Sequence, residues 1–372
     1  MKYTLHDVAA SRPDVLHIME PFSFGCLTAL ANLVTATAAL GLRHAVLHGT
    51  ERTLPDAKNK FPPETEFFPV ATLRRDISLR HDWAALQEIN TLVQKIRPRM
   101  IHCHSSKAGV LGRLVAWHKG IASLYTPHGF SFLQTDISDI KKRGFKSVEW
   151  AMARLGTAIT ACGEQEYALA CKLVSPHCVF FIPNALQTSL LDAVLKQPRI
   201  EHKQIIAGIC GRVSFARNTE WICDAAAATR EQLTWQWIGC GSNNASLTLD
   251  IQQTPYLDHK AALQAMHNLD IYVQPSRWEG LSFSLLEAMY LRKPVIASHV
   301  PANTAIIRHG ETGFLVNNIQ ELINCVTQLA TDPALRARIG NAAHEYVAKE
   351  HDARSVYQQY IDLYTRFADR AS

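Results

Sequence analysis

Two glutamates, Glu279 and Glu287, separated by seven residues in a stretch running from Pro275 to Ser298, are the residues best placed to do chemistry in this chain. The apolar run ending at Gln274 reads as a buried strand, 275–280 as a turn, 283–292 as a helix stopped before Pro294, and 294–298 as the next strand. Both acids then fall at one strand-to-helix corner, the place where doubly wound α/β folds bind ligands. Glu279 sits on the loop and Glu287 in the first turn of the helix, with the free N–H groups of Ser282, Phe283 and Ser284 aimed at the same space. A helix N-terminus attracts phosphate, and carboxylates suit sugar hydroxyls. The corner therefore offers partners to both halves of a nucleotide sugar. Plainer readings stand beside this one: Ser284 and Glu287 also fit the S-x-x-E capping box, and Glu279 next to Gly280 fits a solvated loop acid.

The elements that must position these residues alternate along the whole chain. Short apolar runs at 15–19, 44–48, 100–104, 122–126, 158–162 and 179–182 read as strands, with helical patterns between most of them, for example at 83–96 and 108–118. The alternation restarts with strands at 205–210, 235–238, 271–274 and 295–297. Such alternation implies parallel sheets covered by helices on both faces. The expectation is α/β, with one doubly wound Rossmann-like domain over 1–190, a second over 204–351, and a terminal helical segment over 352–372. The polar stretch 183–203, without a clear buried strand, is read as the linker region.

At 372 residues, 47% hydrophobic and 19% charged, the chain is long enough for about two domains with substantial cores. No apolar run approaches the roughly 20 residues that span a bilayer, and the opening MKYTLHDVAASRPD lacks the apolar core of a signal peptide. A cytoplasmic protein is expected. Nine cysteines, odd in number and without a C-x-x-C pair, read as small apolar fillers of a reduced interior. The net charge of +5 and pI near 8.7 suit an anionic substrate or an anionic membrane surface and are too weak to argue for nucleic acid. There is no G-x-x-x-x-G-K-[ST] and no G-x-G-x-x-G, so the motifs of a P-loop NTPase or a dinucleotide oxidoreductase are missing. His102-Cys103-His104 could suggest a metal, but without other ligands clustered nearby it reads as structural, and no cofactor is expected.

The stretch 275–298 resembles the E-x7-E segment of the retaining glycosyltransferases of family 4, which have the GT-B fold. Strand, P-S-R-W-E-G, helix, L-L-E-A-M and P-V-I-A-S occur in that order. The resemblance covers nearly the whole chain from Asp14 and implies two Rossmann-like domains facing each other across a cleft, with the last helix crossing back to the first domain. It implies that Glu279 contacts the transferred sugar and Glu287 holds the ribose. Gly211-Arg-Val-Ser-Phe-Ala-Arg-Asn resembles the family's G-R-x-S-x-x-K-G, which makes Arg212 and Arg217 the candidates that stabilise the departing diphosphate. Arg217 stands where lysine is usual and Asn218 where glycine is usual. Pro127-His-Gly-Phe, with HSSKAGVLGRL before it, is similar to bacterial polysaccharide transferases of the family, and implies that His128 faces the donor sugar, with His104 a further candidate. Ser23-Phe-Gly-Cys takes the place of the family's glycine-rich loop, leaving Gly25 as the one donor-binding glycine, and Ile182-Pro-Asn184-Ala185 that of its P-N-G turn.

By this resemblance the chain is a retaining, metal-independent glycosyltransferase moving a sugar, a UDP-sugar being the first choice, from a nucleotide diphosphate donor to a glycan or polyprenyl-diphosphate-linked acceptor in bacterial cell-surface polysaccharide synthesis. The absence of D-x-D, the metal-site tripeptide of the other large glycosyltransferase fold, agrees with charge neutralisation by arginines and N–H groups. A UDP-sugar 2-epimerase-type isomerase shares the two-domain architecture, and a non-catalytic sugar-binding protein is the third alternative. Lys141, Lys142, Arg143, Lys146 and Arg154, interleaved with Phe145, Trp150 and Met152, could lie at an anionic membrane surface, placing the protein at the inner face of the cell membrane. Such a run also fits a solvated basic face with its aromatics in the core.

Overall fold

The structure, a computed structural model, describes residues 12–134, 137–200, 202–241 and 246–368. The chain divides into two compact units: Met1–Pro183 together with Arg354–Ser372, and Asn184–Ala353.

Among the described residues the first unit holds seven parallel strands: β1 Val15–Met19, β2 His44–Gly49, β3 Glu66–Val70, β4 Met100–His104, β5 Ala122–Thr126, β6 Ala158–Ala161 and β7 Val179–Phe181. Their order is β3-β2-β1-β4-β5-β6-β7. Helices cover both faces, which is why most of these strands read as unbroken apolar runs. On one face Leu16, Ile18, Ala45, Leu47, Ile101 and Cys103 pack against the helices Leu79–Ile96 and Ser106–Lys119. The glycines of that second helix are there for close approach: a Cβ at Gly109 would run into the Tyr125 ring, and one at Gly112 into Cys103 Sγ. On the other face Met19 and Val46 pack with Leu27, Leu30 and Val34 of the helix Phe24–Ala38. The helix Gln358–Ala368 brings Tyr364 against His102 on this unit.

Among the described residues six parallel strands form the sheet of the second unit: β8 Ile205–Cys210, β9 Leu233–Ile238, β10 Ile251–Gln253, β11 Ile271–Gln274, β12 Val295–Ser298 and β13 Phe314–Val316, ordered β10-β9-β8-β11-β12-β13. In each unit the order reverses once, between β1 and β4 and between β8 and β11. Each reversal is a switch point, and the crevice at the carboxyl ends of its strands is where doubly wound sheets bind ligands.

Several expectations need correction. The stretch 183–203 is not simply a linker, because Asn184 already belongs to the second unit and Thr188–Leu195 is a helix that buries Leu191 and Val194. Among its described residues the terminal segment forms two helices, Ala353–Val356 and Gln358–Ala368. Strands β3, β10 and β13 escaped sequence reading: all three lie at a sheet edge, β3 contains Pro69 and the other two are three residues long, although β7, equally short and also at an edge, was read.

Candidate active site

In the second unit the loops after β8 and β11 meet at the point where strand order reverses. Gly211, with φ of 126°, turns the chain out of β8, and a short 3-10 turn, Phe215–Arg217, precedes the helix Thr219–Thr229. The two loops are tied directly. Arg277 N–H donates to Ala216 O at 2.8 Å, Arg277 Nη2 to Glu220 at 2.8 Å, and the Arg277 guanidinium lies 4.3 Å from the centre of the Phe215 ring. This brings Arg217 Nη1 to 3.0 Å from Glu279 Oε1, with only 19% and 17% of the two side chains exposed. Ser276 Oγ donates to the same oxygen at 2.8 Å. Burial works to lower the Arg217 pKa, but the Glu279 carboxylate, with Tyr272 and Cys210, holds it above its ordinary value. Nη1 makes no directed hydrogen bond. The contact is an ion pair whose N–H groups can turn to another anion. Arg212, on the same loop, has an exposed side chain.

The helix Phe283–Tyr290 starts at Ser282, whose side chain makes no capping bond. Ser282 and Ser284 instead donate to Gln274 Oε1, both at 3.2 Å, and do not cap the N–H groups of the first turn. The capping-box reading of Ser284 and Glu287 fails, since Ser284 is already inside the helix and Glu287 lies in its second turn, not its first. Glu287 is buried and accepts from His259 Nε2 at 2.7 Å. His259 is a site residue that sequence reasoning missed. It opens the helix His259–Asn268 behind the cap Asp258, and nothing local marks a capped histidine as the partner of an acid 28 residues on.

Asn184 donates to Leu281 O at 2.9 Å and so braces the loop that carries Glu279. Neither Asn184 nor Ala185 has positive φ. The turn has no need of the glycine that its family counterpart carries.

In the first unit, His128 follows β5 and holds a left-handed backbone, φ 54°, next to Gly129 at 96°. Such a conformation is unfavourable for a residue with a Cβ and persists where its surroundings enforce it. Glu166 is the enforcer: its carboxylate accepts from Gly129 N at 2.7 Å and from Cys162 N at 2.8 Å. His128 Nε2 lies 3.1 Å from His104 Nδ1. Burial holds the His128 pKa down to about 4, so the ring is neutral at pH 7. Gly25 is not in a loop; it belongs to the first turn of Phe24–Ala38, exposed, and a Cβ there would meet no protein atom. The reading of His102-Cys103-His104 as lacking neighbours is also overturned. His102 and His104 share one face of β4, and His17, His44 and His128 gather around them.

Comparison with known proteins fits this geometry. Residues 24–185 match the family described as Glycosyl transferase 4-like domain, and residues 204–332 that described as Glycosyl transferases group 1. The chain is 26% identical over 305 residues, 75% of its length and 79% of the relative's, to the UDP-Gal:alpha-D-GlcNAc-diphosphoundecaprenol alpha-1,3-galactosyltransferase of Escherichia coli. It is 23% identical over 341 residues to the N,N'-diacetylbacillosaminyl-diphospho-undecaprenol alpha-1,3-N-acetylgalactosaminyltransferase of Campylobacter jejuni, covering 88% of this chain and 86% of that one. Among solved structures, sucrose-phosphate synthase from Thermosynechococcus elongatus superposes with a TM-score of 0.79 at 20% identity, over 96% of this chain and 100% of that one. Anabaena HepE in complex with UDP and glucose gives 0.78 at 16%, over 95% and 99%. These likenesses show the same fold.

Proposed function

Because the chain belongs to the glycosyltransferases that join a 4-like domain to a group 1 domain, we propose that it moves a sugar from a UDP-sugar to a polyprenyl-diphosphate-linked glycan with retention of configuration. The observation that carries this reading is the Arg217–Glu279 pair at 3.0 Å, set where the loops after β8 and β11 meet. It supplies a cation for a departing diphosphate and a carboxylate for sugar hydroxyls in one crevice, with the helix N-terminus at Ser282 beside them. Glu287, fixed by His259, is the candidate for the ribose hydroxyls. The relatives of Escherichia coli and Campylobacter jejuni, whose names specify diphosphoundecaprenol-linked sugars, support a lipid-linked acceptor in polysaccharide synthesis.

In the transfer the bond from the anomeric carbon to the phosphate oxygen breaks, and a bond from the acceptor hydroxyl oxygen forms on the same face. The hydroxyl proton passes to the departing phosphate oxygen. Protein groups then contribute positioning and stabilisation of the growing phosphate charge, without a covalent nucleophile. Arg217, Arg212 and the N–H groups carry the neutralisation that a metal performs elsewhere.

No helix among the described residues is long and apolar enough to cross a membrane. The helix Asp139–Met152 supports surface docking: Ile140, Val148 and Trp150 are exposed beside Lys141, Arg143 and Lys146, and the Arg154 guanidinium stacks 3.3 Å from the centre of the Trp150 ring. The exposure of Trp150 favours docking over a basic face with its aromatics in the core, while Phe145 and Met152 are partly buried. Flotation should show binding to anionic liposomes that weakens when Lys141, Lys142 and Arg143 become Ser.

The deciding experiment incubates the protein with UDP-, GDP- and TDP-sugars and polyprenyl-diphosphate-linked acceptors, read by mass spectrometry. Acceptor-dependent release of UDP with an α-linked product is expected. A new UDP-sugar formed without acceptor would instead establish the isomerase, and acceptor-dependent release of UDP excludes the non-catalytic sugar-binding protein.

A further inference from the structure

A parallel strand buried on both faces is ordinarily apolar, yet one face of the first unit's sheet carries a file of histidines. His44 Nδ1 lies 3.0 Å from His17 Nε2, His17 Nδ1 lies 3.0 Å from His104 Nε2, and His104 Nδ1 lies 3.1 Å from His128 Nε2. At the far end His44 Nε2 meets Thr37 Oγ1 at 3.0 Å, and Thr37 Oγ1 lies 2.7 Å from Leu33 O. The register explains the alignment: His44 pairs with Val15, His17 with His102 and Met19 with His104, so all of these side chains leave the same face.

The direction of every bond in the file follows from its last member. A carbonyl can only accept, so the Thr37 hydroxyl spends its one proton on Leu33 O and must accept from His44 Nε2–H. A neutral imidazole has one donor and one acceptor. His44 Nδ1 therefore accepts from His17 Nε2–H, His17 Nδ1 from His104 Nε2–H, and His104 Nδ1 from His128 Nε2–H. Burial, reinforced by neighbouring rings at His17 and His104, keeps all four uncharged at pH 7. His128 Nδ1 has no protein hydrogen-bond partner among the described residues, and the ring is half-buried.

We propose that Thr37, His44, His17 and His104 are positioning residues that lock His128 in the Nε2–H tautomer, offering its Nδ1 lone pair as an acceptor to a hydroxyl of the transferred sugar. The proposal rests on the glycosyltransferase reading and narrows it. An unprotonated nitrogen on a neutral ring repels a phosphate oxygen, so His128 reads the sugar and not the diphosphate. The file is a lock and not a proton conduit, because it ends on a carbonyl that cannot pass a proton on. Nor is it a metal site. The ligand atoms of His17, His102 and His104 lie within 4.8 Å of one another. Both nitrogens of each ring are already engaged, however, those of His102 with Tyr364 OH at 2.7 Å and Thr126 Oγ1 at 2.8 Å.

Nitrogen-15 histidine spectra of the full chain test this directly. Unprotonated Nδ1 and protonated Nε2 are expected for His17, His44, His104 and His128. Thr37→Val removes the end that sets the direction, so His128 should move toward averaged nitrogen shifts, and Thr37→Ser should restore them. If both directions become equally populated, the competent fraction halves and donor affinity falls about two-fold. UDP-galactose, UDP-glucose and UDP-N-acetylglucosamine serve as probes: whichever binds should shift His128 Nδ1, whereas UDP alone should not. A proton on His128 Nδ1 in the unaltered protein overturns the proposal, whether or not the variant folds. So do a Thr37→Val spectrum identical at His128, and a bound UDP-sugar that leaves Nδ1 untouched. Binding of none of the three overturns the functional reading instead.

Discussion

Removing the carboxylate charge with Glu279→Gln should separate nucleotide binding from transfer. Arg217 and Glu279 form an ion pair at 3.0 Å. Their gross attraction at an effective dielectric of 20 is about 5 kcal/mol, most of it offset by the desolvation of two largely buried groups. The net cost of breaking the pair should lie between the roughly 0–1 kcal/mol of an exposed pair and the roughly 3–5 kcal/mol of a buried one, near 2 kcal/mol. For a unit of this size that lowers Tm by about 4–8 °C. Glu279→Gln frees Arg217 from its competitor, so UDP affinity should hold or rise while acceptor-dependent turnover falls about 100-fold to 1,000-fold. Arg217→Ala should lower both. Calorimetric titration with UDP, melting and single-turnover transfer separate these effects. Near-normal turnover in Glu279→Gln, or unchanged UDP affinity in Arg217→Ala, would refute the assignment of the pair.

Glu287→Gln should weaken UDP binding about 10-fold or more through the loss of charge-assisted bonds, and His259→Ala should add little on top of it, a double-mutant cycle reporting the coupling. Stability should fall in mild acid: His44 has its folded pKa held down to about 4 by burial against about 6.5 when unfolded. Its contribution is therefore complete above pH 6.5 and lost as pH falls toward 4, about 3 kcal/mol over that window, and denaturant midpoints between pH 7 and 4.5 measure it. Turnover should survive EDTA, since Arg217, Arg212 and helix N–H groups are assigned the diphosphate charge; complete loss restored by a divalent cation would reverse that assignment.

The strands that decide the topology were legible because burial on both faces writes itself into sequence as an apolar run: β1, β4, β5, β8 and β11 have the expected bounds. Of the edge strands, which need less of that signal, β7 was legible and β3, β10 and β13 were not. The corner bearing Glu279 and Glu287 was legible for a similar reason, a strand, a turn and a helix lying contiguous in 24 residues of text. The histidine file was not. Its partners stand 27, 87 and 24 residues apart on separate elements, and a single histidine in an apolar strand looks the same whether its neighbour in space is a leucine or another histidine. The pairing of His259 with Glu287 was hidden by the same separation.

The two departures from the family's phosphate motif make physical sense together. Asn218 replaces glycine at a backbone of φ 53°, ψ 56°. Asparagine is the residue with a Cβ that best tolerates that left-handed conformation, so the turn delivering residue 217 to the crevice is kept. Arg217 stands where lysine is usual, paired with Glu279, and under the proposed function the same cation must also answer the diphosphate. An ammonium is a point charge that either claimant would draw away from the other. A guanidinium spreads five N–H donors over a planar fork. Here Nη1 meets Glu279, while Nη2 lies beside Gly211, at ordinary contact distance from where a Cβ would stand. Arg217→Lys should then retain the charge yet lose the ability to serve both partners, which predicts a fall in turnover larger than the fall in UDP affinity.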